Sequence, residues 1–249
     1  VFGTRKAAPA YGADGETPKQ FADGSAGDTG SGSVRDSPRL RNRTLTAVFV
    51  RHGDTKANRG TPGPELVRGQ TDFPLDASGR KEATQAGRTI ARHGGVSRVY
   101  HSPLSRGRDT AKPIAAATGA KAVETSSLLP WDKGDAEGKP VSREDPKLRD
   151  YAVNKPTTAV PGGEPFSKFA DRTDNAAKSI VNAGRKSVKQ TGKPVAAVSH
   201  SVDMRRLPHA IEGKAAGDPL SGGPKPGEMV GVTTGNKVVR VRPGLWGSK

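Results

Sequence analysis

Apolar positions are organised only from residue 45 onward. There, short β-branched runs alternate with stretches of helical period. Residues 45–51 (LTAVFVR) read as a buried strand. Residues 76–93 open on cap-type side chains and carry Ala83, Ala86 and Ile90 on one helical stripe, stopped by Gly94 and Gly95. A second strand is predicted over 96–101 and ends at Ser102-Pro103, followed by a helix over 105–118 with a kink expected at Pro113. Residues 121–124 form a short third strand, 128–140 an irregular loop around Trp131, and 143–153 a short helix. A turn at 161–163 leads into a long helix over 164–190, with Phe166, Phe169, Ala176, Ile180 and Val181 facing inward. A fourth buried strand over 194–199 (PVAAVS) precedes a helix over 201–211. After a Gly/Pro-rich loop at 213–227, strands over 229–233 and 237–241 flank Thr234-Gly235-Asn236 as a closing hairpin.

Strands alternating with helices predict an α/β fold, a three-layer sandwich with a mainly parallel central sheet. In that architecture ligands bind beyond the carboxyl ends of the strands. Residues 1–43 lack any periodic apolar pattern and are rich in Gly, Asp, Ala, Ser and Thr. They predict an extended or disordered amino-terminal arm on a domain of residues 44–249, because such a segment cannot bury enough apolar surface to offset its conformational entropy. The arm has no apolar centre of the signal-peptide kind, and the start at Val1 reads as processing or excision from a longer polypeptide.

Composition sharpens this picture. Leu, Ile, Val and Phe supply 42 of 249 residues and the net charge is +16, so the core is small and lean. Cysteine is absent, which excludes disulfides, a thiolate metal site and a cysteine nucleophile. No apolar run approaches the roughly 18 residues of a membrane span, so a soluble chain is expected, cytoplasmic or virion-associated. Lys178, Arg185, Lys186, Lys189 and Lys193 form a basic stretch without acids, read as a solvated helix face. Any nucleic-acid contact there runs through phosphates alone, since no aromatic residues are interleaved for base stacking.

The polar clusters follow the predicted strands. The first strand leads into Arg51, His52, Asp54, Thr55 and Asn58, the second into Arg106 and Arg108. The third leads into Asp132, Asp135 and Glu137, the fourth into His200 and the helix amino end at Ser201. Two guanidinium forks and a helix amino end suit a phosphate dianion. A neutral imidazole beside a held phosphoryl group can attack phosphorus, and a carboxylic acid can protonate the leaving oxygen. The arginines stabilise the developing charge, so neither metal nor cofactor is expected. His93, His101 and His209 read as surface or packing residues, Trp131 as a loop anchor, and Asp135 and Glu137 as solvated.

The run Val50-Arg51-His52-Gly53-Asp54-Thr55-Lys56-Ala57-Asn58 resembles the signature of the histidine phosphatase superfamily, the phosphoglycerate mutase-like proteins. The resemblance extends to 74–79 (PLDASG), 102–111 (SPLSRGRDTA), 161–164 (PGGE) and 198–201 (VSHS), and covers about residues 45–242. It implies His52 as the phosphate-accepting nucleophile, Arg51 and Arg106 as phosphoryl ligands, and His200 completing the pocket, assisted by Asn58 and the Ser201 amide. The pattern departs at the acid. Where many members carry Glu, this chain has Pro130, in a Leu-Pro-Trp-Asp loop that looks like a phage-type and bacterial branch. Asp132 is then the candidate acid.

The expected function is phosphomonoester hydrolysis on a phosphorylated small molecule or phosphopeptide. It is preferred to mutase activity because no further contacts for a bisphosphoglycerate cofactor stand out. The competing expectation is a structural or decorating component of a large assembly such as a phage virion. There the arm would touch neighbouring chains and the pocket would be weakly active or inactive.

Overall fold

In the computed structural model, residues 44–59 and 63–241 are described. The predicted arm at 1–43 lies outside them. The elements are β1 (Leu45–Arg51), α1 (Lys56–Arg59), α2 (Ala77–Arg92), β2 (Arg98–His101), α3 (Ser105–Thr118), β3 (Lys121–Glu124), α4 (Val141–Val153), α5 (Phe166–Thr191), β4 (Val195–Ser199), α6 (Ser201–Glu212), β5 (Met229–Thr233) and β6 (Val238–Arg240). Two 3₁₀ turns are present, Ser126–Leu128 leading into the 128–140 segment expected to be irregular and Gly134–Ala136 within it. α3 runs through Pro113 to its left-handed cap at Gly119, and the one-turn α1 has no signal in the apolar pattern.

Six strands form one sheet in the order β3-β2-β4-β1-β5-β6. β3, β2, β4 and β1 are mutually parallel, while β5 runs antiparallel to β1 and β6 antiparallel to β5. The pleat sorts side chains between two cores. Ala47 and Phe49 of β1 and Val195 and Ala197 of β4 face α5 and α6, where they meet Ile180, Val181, Met204 and Leu207. Val48, Val50, Ala196 and Val198 face α2 and α3, where they meet Ala86, Ile90, Ala111 and Ile114. A third cluster around Trp131, Leu148, Phe166 and Phe169 anchors the loops over one end of the sheet.

The low count of large aliphatic residues is answered by close approach. A Cβ on Gly184 of α5 would lie 2.0 Å from the Thr46 carbonyl oxygen of β1, and one on Gly87 of α2 would lie 2.6 Å from the Pro113 carbonyl oxygen of α3. Alanine and glycine at these crossings bring the helices near the sheet and each other, so a compact core forms from small side chains.

The same device positions the loop after β1. A Cβ on Gly53 would lie 2.3 Å from the Gly79 carbonyl oxygen, and one on Gly79 would lie 2.1 Å from that of Asp54. Asp76 caps α2 by accepting from the Gly79 amide at 2.8 Å, and its own amide donates to the Asp54 carbonyl at 3.0 Å. The amino end of α2 is thereby seated on residues 53 and 54. Gly79→Ala should lower the unfolding free energy by about 1–3 kcal/mol through overpacking. Urea denaturation measures it, and an unchanged midpoint would contradict this contact.

Candidate active site

Strand register brings the two motif histidines together. β1 pairs with β4 in parallel, with Arg51 opposite Ser199. His52 and His200 therefore leave adjacent strands at the same level, and the His52 amide donates to the Ser199 carbonyl at 3.1 Å. Their ring centroids are 5.1 Å apart, tilted by 55°. His52 is 3% exposed and His200 4%. β2 lies on the other side of β4, so Ser102 follows at the same end of the sheet, and its Oγ is 3.1 Å from His200 Nε2.

The hydrogen bonds of His52 decide its tautomer. Nδ1 lies 2.8 Å from the Gly53 carbonyl oxygen. A carbonyl only accepts, so Nδ1 carries the proton and Nε2 keeps its lone pair. Burial holds the His52 imidazole well below its ordinary pKa, with further lowering by His200, Arg106 and Arg51. His200 is lowered in the same way, by burial and then by Arg106, Arg51 and Arg68. Both rings are neutral at pH 7. The loop bearing His52 is tied to α3: the Gly53 amide donates to Thr110 Oγ1 at 3.1 Å, and that hydroxyl donates to the Arg106 carbonyl at 2.8 Å.

Arg106 sits in the first turn of α3 at 1% exposure. It donates to the Thr71 carbonyl at 2.8 Å and the Gly69 carbonyl at 2.5 Å. Arg51 donates to the Pro224 carbonyl at 2.7 Å. Burial pushes each guanidinium down to about 10, so both stay charged at neutral pH. No ion pair between either arginine and a carboxylate is present among the described residues; neutral carbonyls orient them, while carboxylates act on them only from a distance, Asp54, Glu65 and Glu228 on Arg51 and Asp72, Glu137 and Asp203 on Arg106.

The loop that aims Arg106 is itself clamped. Glu137 accepts from the Gln70 amide at 2.8 Å, the Thr71 amide at 2.5 Å, the Thr71 hydroxyl at 2.6 Å and the Lys133 amide at 3.0 Å. This corrects the expectation that Glu137 is solvated. Asp72 accepts from the amide (2.8 Å) and hydroxyl (2.7 Å) of Ser105, capping α3 one residue before Arg106.

The remaining predicted residues are placed as follows. Ser201 begins α6, and its buried Oγ lacks a partner. Asn58 Oδ1 accepts from Thr55 Oγ1 at 2.7 Å, so that side chain orders its own loop. Asp132 accepts from the Gly134 amide at 3.0 Å, and it is not among the charges acting most strongly on His52, His200, Arg51 or Arg106. Trp131 is an anchor as expected: fully buried, with its indole N–H on the Glu164 carbonyl at 3.0 Å. Arg108 is exposed beside Asp109, and His101 is a buried strand-end residue bonded to the Ser102 carbonyl.

Three groups near the site were not singled out from the sequence. Arg68 lowers Arg51, Arg106 and His200, and Arg205 is itself pushed down to about 10 by burial and by Arg51. Asp203 is buried three residues beyond His200. The tertiary position of Arg68 leaves no signal in local sequence.

Buried polar atoms are nearly always hydrogen-bonded. Among the described residues six buried side-chain atoms lack a partner, and four belong to the residues around this pair: Arg51 Nε, Arg106 Nε, Ser201 Oγ and Asp203 Oδ2. Three of these are donors, on Arg51, Arg106 and Ser201, so unused hydrogen-bonding capacity is grouped at this end of the sheet. No group of three or more His, Cys, Asp or Glu among the described residues is placed to hold a metal ion.

Fold and site together define an α/β sandwich with two buried histidines paired beyond the carboxyl ends of its parallel strands. Residues 47–238 match the model of the histidine phosphatase superfamily (branch 1), and the chain belongs to that family. It is 31% identical over 176 residues to a probable phosphoglycerate mutase, GpmB, of Salmonella paratyphi B, covering 69% of this chain and 77% of that one. Among solved structures it resembles a mycobacterial glucosyl-3-phosphoglycerate phosphatase complexed with VO3, at TM-score 0.60 and 25% identity over 75% of this chain and 91% of that one. The fold also matches a phosphoglycerate mutase from Thermus thermophilus, at TM-score 0.56 and 24% identity over 79% and 98% of the two chains. The expectation of a structural or virion component finds no support in these relatives. Among the described residues no helix is long and apolar enough to cross a membrane.

Glu137→Ala should free the 69–71 loop and weaken anion binding. Orthophosphate affinity, measured by calorimetry, is expected to fall about tenfold, or ~1.4 kcal/mol, within the range for a hydrogen bond to a charged group. Unchanged affinity would show that the clamp does not govern Arg106.

Proposed function

We propose that the protein is a phosphomonoester hydrolase that works through a phosphohistidine at His52. The supporting observation is the His52 ring itself: neutral, buried, its Nδ1 proton held by Gly53 and its Nε2 lone pair free beside Arg51 and Arg106. A phosphorylated small molecule or phosphopeptide places its phosphoryl group between the two guanidinium groups. The Ser201 hydroxyl and the amino end of α6 add donors. Nε2 attacks phosphorus, the ester oxygen leaves, and water then releases orthophosphate from the ring. His200 steadies the phosphoryl oxygens while the arginines offset the charge that builds on them, with no metal required.

His52→Ala should abolish hydrolysis of aryl phosphates, with a loss of at least about 10³-fold. Wild-type protein quenched during turnover should carry one phosphoryl group per chain, labile to acid and stable to alkali, and EDTA should leave the rate unchanged. Retained activity in the variant would refute the reading.

The pH dependence follows from the lowered imidazole. Since the neutral form is the nucleophile, kcat/KM should stay flat as pH falls through 6.5 and drop only well below it. An acid limb centred at 6.5 or above would contradict this assignment.

A second reading is favoured by the 31% identical relative named as a probable phosphoglycerate mutase. Incubation with 3-phosphoglycerate separates the two: hydrolysis yields orthophosphate and glycerate, whereas a mutase yields 2-phosphoglycerate.

A further inference from the structure

The phosphohistidine reading above asks His200 to steady a phosphoryl group, and the present inference rests on that reading. A neutral imidazole holds such oxygens through its N–H, since a bare ring nitrogen would meet them lone pair to lone pair. Which of the two nitrogens carries the proton is set by the partner of the other. Burial keeps His200 neutral, so the ring has one proton to place.

The partner is Ser102. β2 pairs with β4 in parallel, with His101 opposite Val198, so Ser102 leaves β2 beside the end of β4. Ser102 is fully buried, and its Oγ lies 3.1 Å from His200 Nε2. Among the described residues, neither the Ser102 hydroxyl nor the ring nitrogens of His200 make another hydrogen bond. Two arrangements are open to the pair. If Nε2 donated, the hydroxyl proton would have no acceptor and Nδ1 would be bare. Leaving a buried polar proton unpaired is costly. If the hydroxyl donates, both its proton and Nε2 are satisfied, and the Nδ1–H is left for a ligand.

The packing around the serine is shaped for that hydroxyl. Gly107 follows Arg106 in the first turn of α3, and a Cβ there would lie 2.4 Å from Ser102 Oγ, with the Ser102 carbonyl oxygen next at 3.3 Å. Glycine is a poor helix former, and Gly107 is not in the left-handed region that would call for one. Its missing side chain is the space the hydroxyl occupies. One turn of α3 thus carries Arg106 and also leaves the room that holds Ser102 on His200.

We propose that Ser102 is the positioning residue of His200: its hydroxyl donates to Nε2, fixes the ring proton on Nδ1 and so reserves one N–H for the phosphoryl oxygens, with Gly107 keeping the hydroxyl in place. Ser102 acts through the ring rather than on substrate. His52 and His200 then carry their protons on the same ring position for opposite purposes. The bond to Gly53 frees Nε2 of His52 to attack, and the bond from Ser102 leaves a donor on His200 for the group under attack.

Nitrogen-15 NMR of histidine-labelled protein reads the His200 tautomer without turnover, its signals being assigned by their loss in His200→Gln. In the wild type Nδ1 should be protonated and Nε2 bare, and orthophosphate should shift the Nδ1 signal. In Ser102→Ala the proton should redistribute toward Nε2. There kcat on an aryl phosphate should fall about tenfold or more with KM little changed, as for the loss of a preorganised donor. Gly107→Ala should give the same two changes with the serine still present. Added to Ser102→Ala, it should cost little more, because no hydroxyl is left to displace. Wild-type His200 protonated on Nε2 would overturn the proposal. So would a Ser102→Ala protein that keeps the wild-type tautomer or kcat, or a loss from Gly107→Ala as large in the Ser102→Ala background as in the wild type. If Ser102→Ala does not fold, the wild-type tautomer and Gly107→Ala decide. The two readings fail separately: activity surviving in His52→Ala defeats the phosphohistidine step, whereas an Nε2–H tautomer of His200 in an enzyme that depends on His52 defeats this inference alone.

Discussion

One hydrogen bond orders the chemistry of this molecule: the proton of His52 Nδ1 on the carbonyl of Gly53, 2.8 Å away. It turns a symmetric ring into a directed one, with the lone pair on Nε2. The bond depends on the backbone after β1 holding its shape. That shape depends on the Gly53–Gly79 contact and on Asp76 capping α2 against residue 54. The parallel register of β1 on β4 then delivers His200 beside the directed ring. Sheet, helix cap and imidazole form one mechanical unit.

The arginines present the opposite problem. Arg51 and Arg106 are both buried, and burial and then Arg68 raise the cost of charging each of them. A carboxylate in direct contact would relieve that cost further and would also cancel more of their charge. The fold instead meets them with carbonyls of Pro224, Thr71 and Gly69, which satisfy donors without adding charge. Carboxylates act one step back: Glu137 holds the 69–71 loop and Asp72 caps α3.

The contributions that were legible in the sequence share a property: each is written in a contiguous run. The apolar run before Arg51-His52-Gly53 marks a strand end, Asp76 ahead of a periodic stripe marks a helix start, and Ser199-His200-Ser201 repeats the strand-to-helix step. Those features place His52, His200, Arg51 and Arg106 correctly at one end of the sheet. Glu137, Arg68 and Asp203 were not legible, because their places arise only from folding. Glu137 looks like a surface residue until the loop 66 residues earlier closes on it. Asp203 looks like an ordinary first-turn acid until α5 covers it. The lean composition pointed to a small core but not to how it closes, since alanine and glycine compensate by proximity, a quantity absent from a residue count.

The central claim concerns where the His52 proton resides, and nitrogen-15 NMR of histidine-labelled protein reads it directly. At pH 7 the account predicts that Nδ1 of His52 is protonated, that Nε2 is bare, and that orthophosphate shifts the Nε2 signal. A His52 ring protonated on Nε2, or on both nitrogens, would contradict it.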